Sequence, residues 1–149
     1  MSHVVLKEGE TAEQQIRDLD CLWQAVEKCG GLPLKNQTHF RTWATDHGRL
    51  AGDYPVPQGY GEADIVKGDC LHAIGLPDGA TSGTDAYEIG VVPSKKFPGT
   101  FSLLYDFYGG HLDKRFGKGL GQLTTEYRAA AVKKAARYQI GRASCRERV

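Results

Sequence analysis

The sequence predicts an α+β fold: a small antiparallel sheet with two helices packed on one face, in the order βαββββα. One observation is the stretch Tyr87–Tyr108, in which two runs of alternating residues are joined by a Pro/Gly-rich break. A second is the helical spacing of apolar residues in Leu19–Val26 and again from Leu112 onward. Strands followed by a separate helix favour an α+β arrangement over a parallel α/β sheet.

The Tyr87–Tyr108 stretch is predicted to form a hairpin at the centre of the sheet. Every second side chain of a strand lies on the same face. The residues expected on the core face are Tyr87, Ile89, Val91, Phe101, Leu103, Tyr105 and Phe107. The break Pro93–Gly99 between the two runs is typical of an antiparallel hairpin. This hairpin should therefore organise the rest of the chain.

The amino-terminal part is predicted to contain one strand and one helix. Ser2–Glu8 alternates apolar residues and is a strand candidate. Asp18 precedes an amphipathic stripe and can accept hydrogen bonds from the N–H groups that open a helix. Gly30 and Gly31 follow that stripe and are expected to end the helix.

Two further strands are predicted in the middle of the chain, in Thr38–Trp43 and in Ala63–Ile74. Between them, the loop Asp53–Gly61 contains two prolines and is expected to be extended rather than regular. The last helix is expected to become stable near Leu120, because each glycine of the preceding Gly117–Gly121 segment costs about 1 kcal/mol in a helix interior.

Composition indicates an ordinary intracellular domain. The chain has 149 residues, 40% hydrophobic and 25% charged, and no apolar run long enough to span a membrane. The first residues do not resemble a secretory signal, so a cytoplasmic location in a bacterial or phage-host cell is expected. The four cysteines form no Cys-x-x-Cys pair, which indicates reduced thiols.

Residues 140–149 are expected to form a non-native tail, while residues 1–139 form a single α+β domain. Ile140–Val149 resembles the translation of a common short-read sequencing adapter, and such additions are excluded from fold reasoning. Without the tail's three Arg and one Glu, the remaining residues include 16 basic and 17 acidic side chains, a net charge of −1. This balance disfavours nucleic acid as a partner.

Several short motifs resemble the hypothetical chloroplast reading frame thirty-five family of plastids, cyanobacteria and phages. They are Met1-Ser2-His3, Ile16–Leu22, Ala63–Val66, Tyr87–Val91 and Leu104–Tyr108, with Leu123 and Tyr127 in the last helix. The Asp53–Gly61 loop looks more like the phage versions than the plastid form. The resemblance implies that a Gly-Phe turn and a β-hairpin would follow the last helix and are absent here. It implies no catalytic residues.

Candidate catalytic residues are few. The five histidines have no His-x-x-x-His or His-Glu-x-x-His spacing, so neither a metal site nor a cofactor is predicted. Asp64, His72 and Asp106 could together supply an acid–base site. We expect Asp106 to face solvent; if it is instead buried, it becomes the best single candidate for function.

Candidate binding residues lie in two places. Tyr54, Pro55, Pro57 and Tyr60 belong to the proline loop, which could be a contact surface but is more simply explained as packing on the sheet. Arg41 and Trp43 mix positive charge with an aromatic ring, as platforms for single-stranded nucleic acid do.

The leading functional hypothesis is a non-catalytic binding or accessory module whose partner is a protein or a small ligand. The alternatives are a small enzyme with an Asp/His site and a single-strand nucleic-acid-binding protein.

Overall fold

The structure, a computed structural model, describes residues 4–50, 52, 55–79 and 83–147, without the side chains of Asp85 and of residues 141–147. Within these residues, five strands form one antiparallel sheet, accompanied by five α-helices, so the predicted α+β class is confirmed. The strands are β1 (Val4–Lys7), β2 (Leu32–Leu34), β3 (His72–Gly75), β4 (Ile89–Pro93) and β5 (Phe101–Asp106). The helices are α1 (Leu19–Lys28), α2 (Trp43–His47), α3 (Glu62–Lys67), α4 (His111–Phe116) and α5 (Gly121–Glu147).

The predicted hairpin lies at the centre of the sheet. The strand order is β1-β5-β4-β3-β2, and Val91 of β4 pairs with Leu103 of β5. β2 is an edge strand bonded to β3. Pro33 lies within it, which suits an edge because proline has no N–H to donate to a further strand.

Helices cover both faces of the sheet, so the prediction of helices on one face was wrong. One face carries Ile74, Val91 and Leu103 and packs on α1, α4 and α5; we call it the α1 face. The opposite face carries Ala73, Val92 and Leu104 and packs on α2 and α3; we call it the α3 face. The pairs Val91-Val92 and Leu103-Leu104 are apolar at consecutive positions because each strand is buried on both sides.

Two of the predicted strands are different elements. Ala63–Ile74 divides into α3, a turn at Gly68 and β3. Gly68 adopts a φ of +70°, which ends the helix in the left-handed region that glycine favours. Thr38–Trp43 does not form a strand: it contributes an isolated bridge between His39 and Asp69, and α2 begins at Trp43.

The carboxyl-terminal helical region is broken where the glycines predicted a break. α4 ends before Gly117, whose φ is +85°, and α5 begins at Gly121. Leu123 and Tyr127 of α5 pack on the core. Tyr138 is exposed, so the apolar stripe does not extend that far. The helix continues into the adapter-like segment as far as Glu147.

α1 begins where the sequence predicted, and its cap also contacts α5. The Asp18 carboxylate accepts a hydrogen bond from the Cys21 N–H at 3.1 Å and one from Lys134 Nζ at 2.5 Å. The hydrogen bond from Lys134 is the main reason that the pKa of Asp18 lies below its usual value. This carboxylate therefore stabilises folding above its ordinary pKa of 3.8, and that stabilisation is lost as the pH falls through the lower pKa of the folded chain.

Asp18→Ala is expected to lower the free energy of unfolding by about 1 kcal/mol, because the first turn of α1 loses its cap. Urea denaturation at neutral pH measures the change. Asp18→Asn keeps a capping oxygen and should restore most of the loss, whereas Lys134→Ala should change little, because exposed ion pairs contribute little. Equal losses in Asp18→Ala and Asp18→Asn would contradict the capping role.

Candidate functional site

Asp106 is buried rather than solvent-facing, contrary to expectation. Its side chain is on the α3 face of β5 and is 1% exposed. One carboxylate oxygen accepts the Tyr108 N–H at 3.0 Å, and the other accepts the Trp43 N–H at 3.3 Å. Trp43 is the first residue of α2. Asp106 therefore holds the start of α2 against the sheet, since the first N–H groups of a helix need acceptors from outside it.

The charge of Asp106 also reaches a buried phenol. Tyr87 is buried, and this burial, followed by the negative charge of Asp106, raises the pKa of the Tyr87 phenol to about 12. Tyr87 is consequently a neutral phenol at physiological pH.

His72 lies on the α1 face of the sheet, opposite to the face that carries Asp106. Its ring packs edge-on against Trp23 of α1, with the ring centroids 5.2 Å apart. Its Nδ1 accepts a hydrogen bond from the Asn36 N–H at 2.8 Å. His72 is thus engaged between α1 and the turn that follows β2.

Asp64 is placed at the start of α3, where its carboxylate accepts the Gly61 N–H at 2.8 Å. The sheet register sets His72 opposite Val91, and Val91 opposite Leu103. The backbone of Asp106 is therefore displaced from that of His72 by two strand spacings across the sheet and by three residues along β5. These two displacements are perpendicular and together amount to roughly 14 Å. The two side chains also lie on different faces, so the structure does not assemble Asp64, His72 and Asp106 into one catalytic group.

Arg41 and Trp43 already have contacts within the chain. Arg41 Nε lies 2.9 Å from a carboxylate oxygen of Asp46. The ring of Trp43 stacks on His47 with centroids 4.0 Å apart, and the Arg49 guanidinium lies 5.0 Å from its centroid. A base could not use the faces of Trp43 as a stacking platform without displacing these neighbours.

Tyr60, in contrast, lines open space. A cavity of about 390 Å³ lies between it and Leu6 of β1, and a second of about 320 Å³ lies between it and Leu104 of β5. Both cavities are lined by Tyr60 and by Lys95, which belongs to the turn joining β4 and β5. We call the two cavities together the Tyr60–Lys95 groove.

Tyr60 and Lys95 contact each other where the two cavities meet. The Lys95 ammonium lies 3.9 Å from the centroid of the Tyr60 ring and also donates to the Gly59 carbonyl. Burial, together with the charges of Glu8 and Asp64, raises the pKa of the Tyr60 phenol. The contact connects the proline loop to the hairpin turn.

The hairpin turn that carries Lys95 is well ordered by hydrogen bonds. The Ser94 hydroxyl accepts the Phe97 N–H at 3.0 Å, and the Ser94 N–H donates to the Thr100 carbonyl at 2.9 Å. Lys95 is thus presented from a defined turn rather than from an unconstrained loop.

The floor of the groove is apolar and its rim is charged. The apolar lining residues are Leu6, Val92, Pro93 and Leu104. The charged ones are three lysines and three carboxylates, namely Lys67, Lys95, Lys96, Glu8, Asp64 and Asp69. Lys67 and Asp69 form an ion pair at 3.2 Å. An apolar floor with a balanced polar rim is typical of a site for a ligand with a substantial apolar part.

The other predicted residues of the proline loop differ in their position. Pro55 is exposed and Pro57 is half-buried, while Val56 between them packs on the core of the α3 face. The loop therefore both packs on the sheet and, through Tyr60, lines the groove. Tyr54 lies outside the described residues.

The lysines of the hairpin turn are functional candidates that the sequence did not single out. The run Ser94-Lys95-Lys96-Phe97 lies inside a Pro/Gly break and predicted only a turn. The consecutive apolar pairs Val91-Val92 and Leu103-Leu104 were the available signal, because the second residue of each pair places apolar surface on the α3 face, close to that turn.

The described residues lack two kinds of feature. No three or more His, Cys, Asp or Glu side chains in this part of the chain are grouped in a way that could hold a metal ion. None of the helices in the described ranges has the combination of length and apolar character needed to cross a membrane.

Comparison with known proteins finds no matching family model, no matching curated protein and no matching solved structure.

Proposed function

We propose that this protein is a non-catalytic binding module whose ligand occupies the Tyr60–Lys95 groove. The observation that carries the proposal is that two cavities meet at Tyr60 and Lys95 over an apolar floor of the sheet. The ligand is a small molecule, or a side chain of a protein partner, that presents an apolar or aromatic group.

The preference for an apolar or aromatic group follows from the lining. Leu104 and Val92 supply a hydrophobic floor, and the half-buried ring of Tyr60 supplies an aromatic wall. Burial of apolar ligand surface against such a floor contributes about 25 cal/mol for each Å² removed from water. The equal numbers of lysines and carboxylates on the rim give no net attraction for a highly charged ligand.

The two alternative functions have weaker support. An enzyme built on Asp64, His72 and Asp106 would need these side chains to approach one another, and His72 and Asp106 lie on opposite faces of the sheet. Single-strand nucleic-acid binding would need accessible aromatic faces, and Trp43 is in contact with His47 and Arg49.

The same proposal includes membership of the hypothetical chloroplast reading frame thirty-five family and a cytoplasmic role in a bacterial or phage-host cell. The short motifs that carry the resemblance support it, and two of them, Tyr87–Val91 and Leu104–Tyr108, contribute to the central hairpin. The resemblance implies a fold and carries no catalytic residues.

Tyr60→Ala is the variant that tests the groove. In a ligand-observed NMR screen of small aromatic molecules, we expect hits on the unaltered protein. The affinity of Tyr60→Ala for these hits should be about tenfold weaker, because an aromatic ring packed against a ligand contributes strongly to the binding free energy. Titration of the best hit by calorimetry measures the change.

Two matched variants control this experiment. Tyr60→Phe keeps the ring and should retain the affinity within about twofold. Tyr138→Ala removes an exposed tyrosine from α5 and should have no effect. Hits whose affinity is the same in all three variants would place the ligand elsewhere and overturn the proposal, as would the absence of any hit.

A further inference from the structure

A second cleft, of about 550 Å³, lies where the carboxyl end of α1 meets α4. Its lining is formed by Cys29, Leu76, Asp78, Gly79, His111, Lys114, Arg115 and Gln122. None of these residues lines the Tyr60–Lys95 groove. The cleft is therefore separate from that groove.

Arg115 is held in a fixed position on one wall. Its guanidinium donates to both carboxylate oxygens of Asp78, at 2.8 and 2.9 Å, and to the Gly30 carbonyl at 3.0 Å. Among the described residues that line the cleft, Asp78 is the acidic one, and its ion pair with Arg115 Nη2 neutralises it. The guanidinium is thus already oriented before any ligand arrives.

Three other polar side chains of the cleft can donate hydrogen bonds. Among the described residues, the side chains of His111, Lys114 and Gln122 make no hydrogen bond or ion pair with the protein. Lys114 is exposed and Gln122 lies at the start of α5. With Asp78 neutralised by Arg115, Lys114 leaves the cleft with a net positive charge.

Cys29 adds no negative charge to this wall. Burial, and then the nearby carboxylate of Glu126, raise the pKa of the Cys29 thiol, so it stays protonated at neutral pH. Glu126 does not line the cleft, and its carboxylate lies 3.5 Å from Lys28 Nζ.

We propose that this cleft binds a small organic phosphate monoester. Lys114, His111 and the Gln122 amide donate to the phosphate oxygens beside the fixed guanidinium of Arg115, an arrangement of donors that suits an oxyanion. The cleft is much larger than a phosphate ion, and Leu76 provides apolar surface for the organic part of the ligand.

The test is a titration of the full chain with phenyl phosphate and, separately, with inorganic phosphate, followed by backbone amide NMR. We expect saturable shifts at residues 111–115 and 76–79, and tighter binding of phenyl phosphate. Lys114→Ala should weaken binding of phenyl phosphate about tenfold, because it removes a cation that has no ion-pair partner among the described residues. Lys118→Ala, which removes an exposed lysine outside the cleft lining, should leave the affinity unchanged.

Two results would overturn the proposal. Equal weakening by Lys114→Ala and Lys118→Ala, or shifts that are spread over surface lysines, would show non-specific attraction of anions. Equal affinity for phenyl phosphate and inorganic phosphate would show that the organic part of the ligand is not recognised. Arg115 is left unaltered in these variants because its contacts with Gly30 and Asp78 also hold the fold.

Discussion

Gly90→Ala is expected to lower the free energy of unfolding by about 2–3 kcal/mol, although it adds a single methyl group. Gly90 lies on β4, and a Cβ atom there would be 2.6 Å from Cε1 and 2.8 Å from Cγ of Phe40. Phe40 is 1% exposed and packs among Ala44, Ile65 and Leu104 on the α3 face. The ring has no free space to enter, and overpacking of a close-packed core is destabilising by about this amount.

Chemical denaturation of Gly90→Ala and Gly121→Ala provides the matched comparison. A Cβ at Gly121 would meet no atom within 4 Å, and its φ of −63° is helical, so the same chemical change should be neutral or slightly stabilising there. The double variant Gly90→Ala/Phe40→Leu should recover part of the loss, since the smaller side chain makes room. A Gly90→Ala protein as stable as the parent would contradict the placement of Phe40 over β4.

Asp106→Ala is expected to lower the free energy of unfolding by about 3 kcal/mol. The substitution removes a buried carboxylate and leaves the N–H groups of Trp43 and Tyr108 without their acceptor, and a hydrogen bond to a charged group contributes about 1.5–3 kcal/mol. The effect should be concentrated at the start of α2, because the Trp43 N–H is its first amide.

Denaturation gives the size of this effect, and amide hydrogen exchange gives its location. Exchange of the Trp43 amide should accelerate in Asp106→Ala more than that of Ile74, which lies on the α1 face. Asp106→Asn keeps one oxygen acceptor and should lose less stability than Asp106→Ala. Unchanged exchange at Trp43 would show that Asp106 does not hold α2, and a catalytic or ligand-binding role for this carboxylate would then regain interest.

The elements predicted correctly from the sequence are those with strong local signals. α1 has a capping aspartate, an amphipathic stripe and two terminal glycines, and all three act within a few residues. The β4–β5 hairpin combines period-two alternation with a Pro/Gly break. Because such signals depend little on the rest of the chain, the elements that they predict are present in the folded protein.

The sequence-based predictions were wrong where the local structure or the burial of a residue depends on tertiary contacts. Ala63–Val66 is too short for the spacing of its apolar residues to distinguish a helix from a strand. The segment is helical, and Gly68 ends the helix with a positive φ. Asp106 alternates with apolar residues as a solvent-facing residue would, and its burial follows only from the position of α2. The groove likewise joins Tyr60 to Lys95, two residues that are far apart in sequence.

Methyl-resolved NMR of the protein with the best aromatic hit shows whether the ligand binds in the Tyr60–Lys95 groove. β4 and β5 supply an internal control, because Val92 and Leu104 face the groove side of the sheet whereas Val91 and Leu103 lie on the α1 face. Binding in the groove should cause ligand-dependent shifts of the Val92 and Leu104 methyl groups and none for Val91 and Leu103. Shifts at Val91 and Leu103, or at Leu76 in the second cleft, with Val92 and Leu104 unmoved, would contradict it.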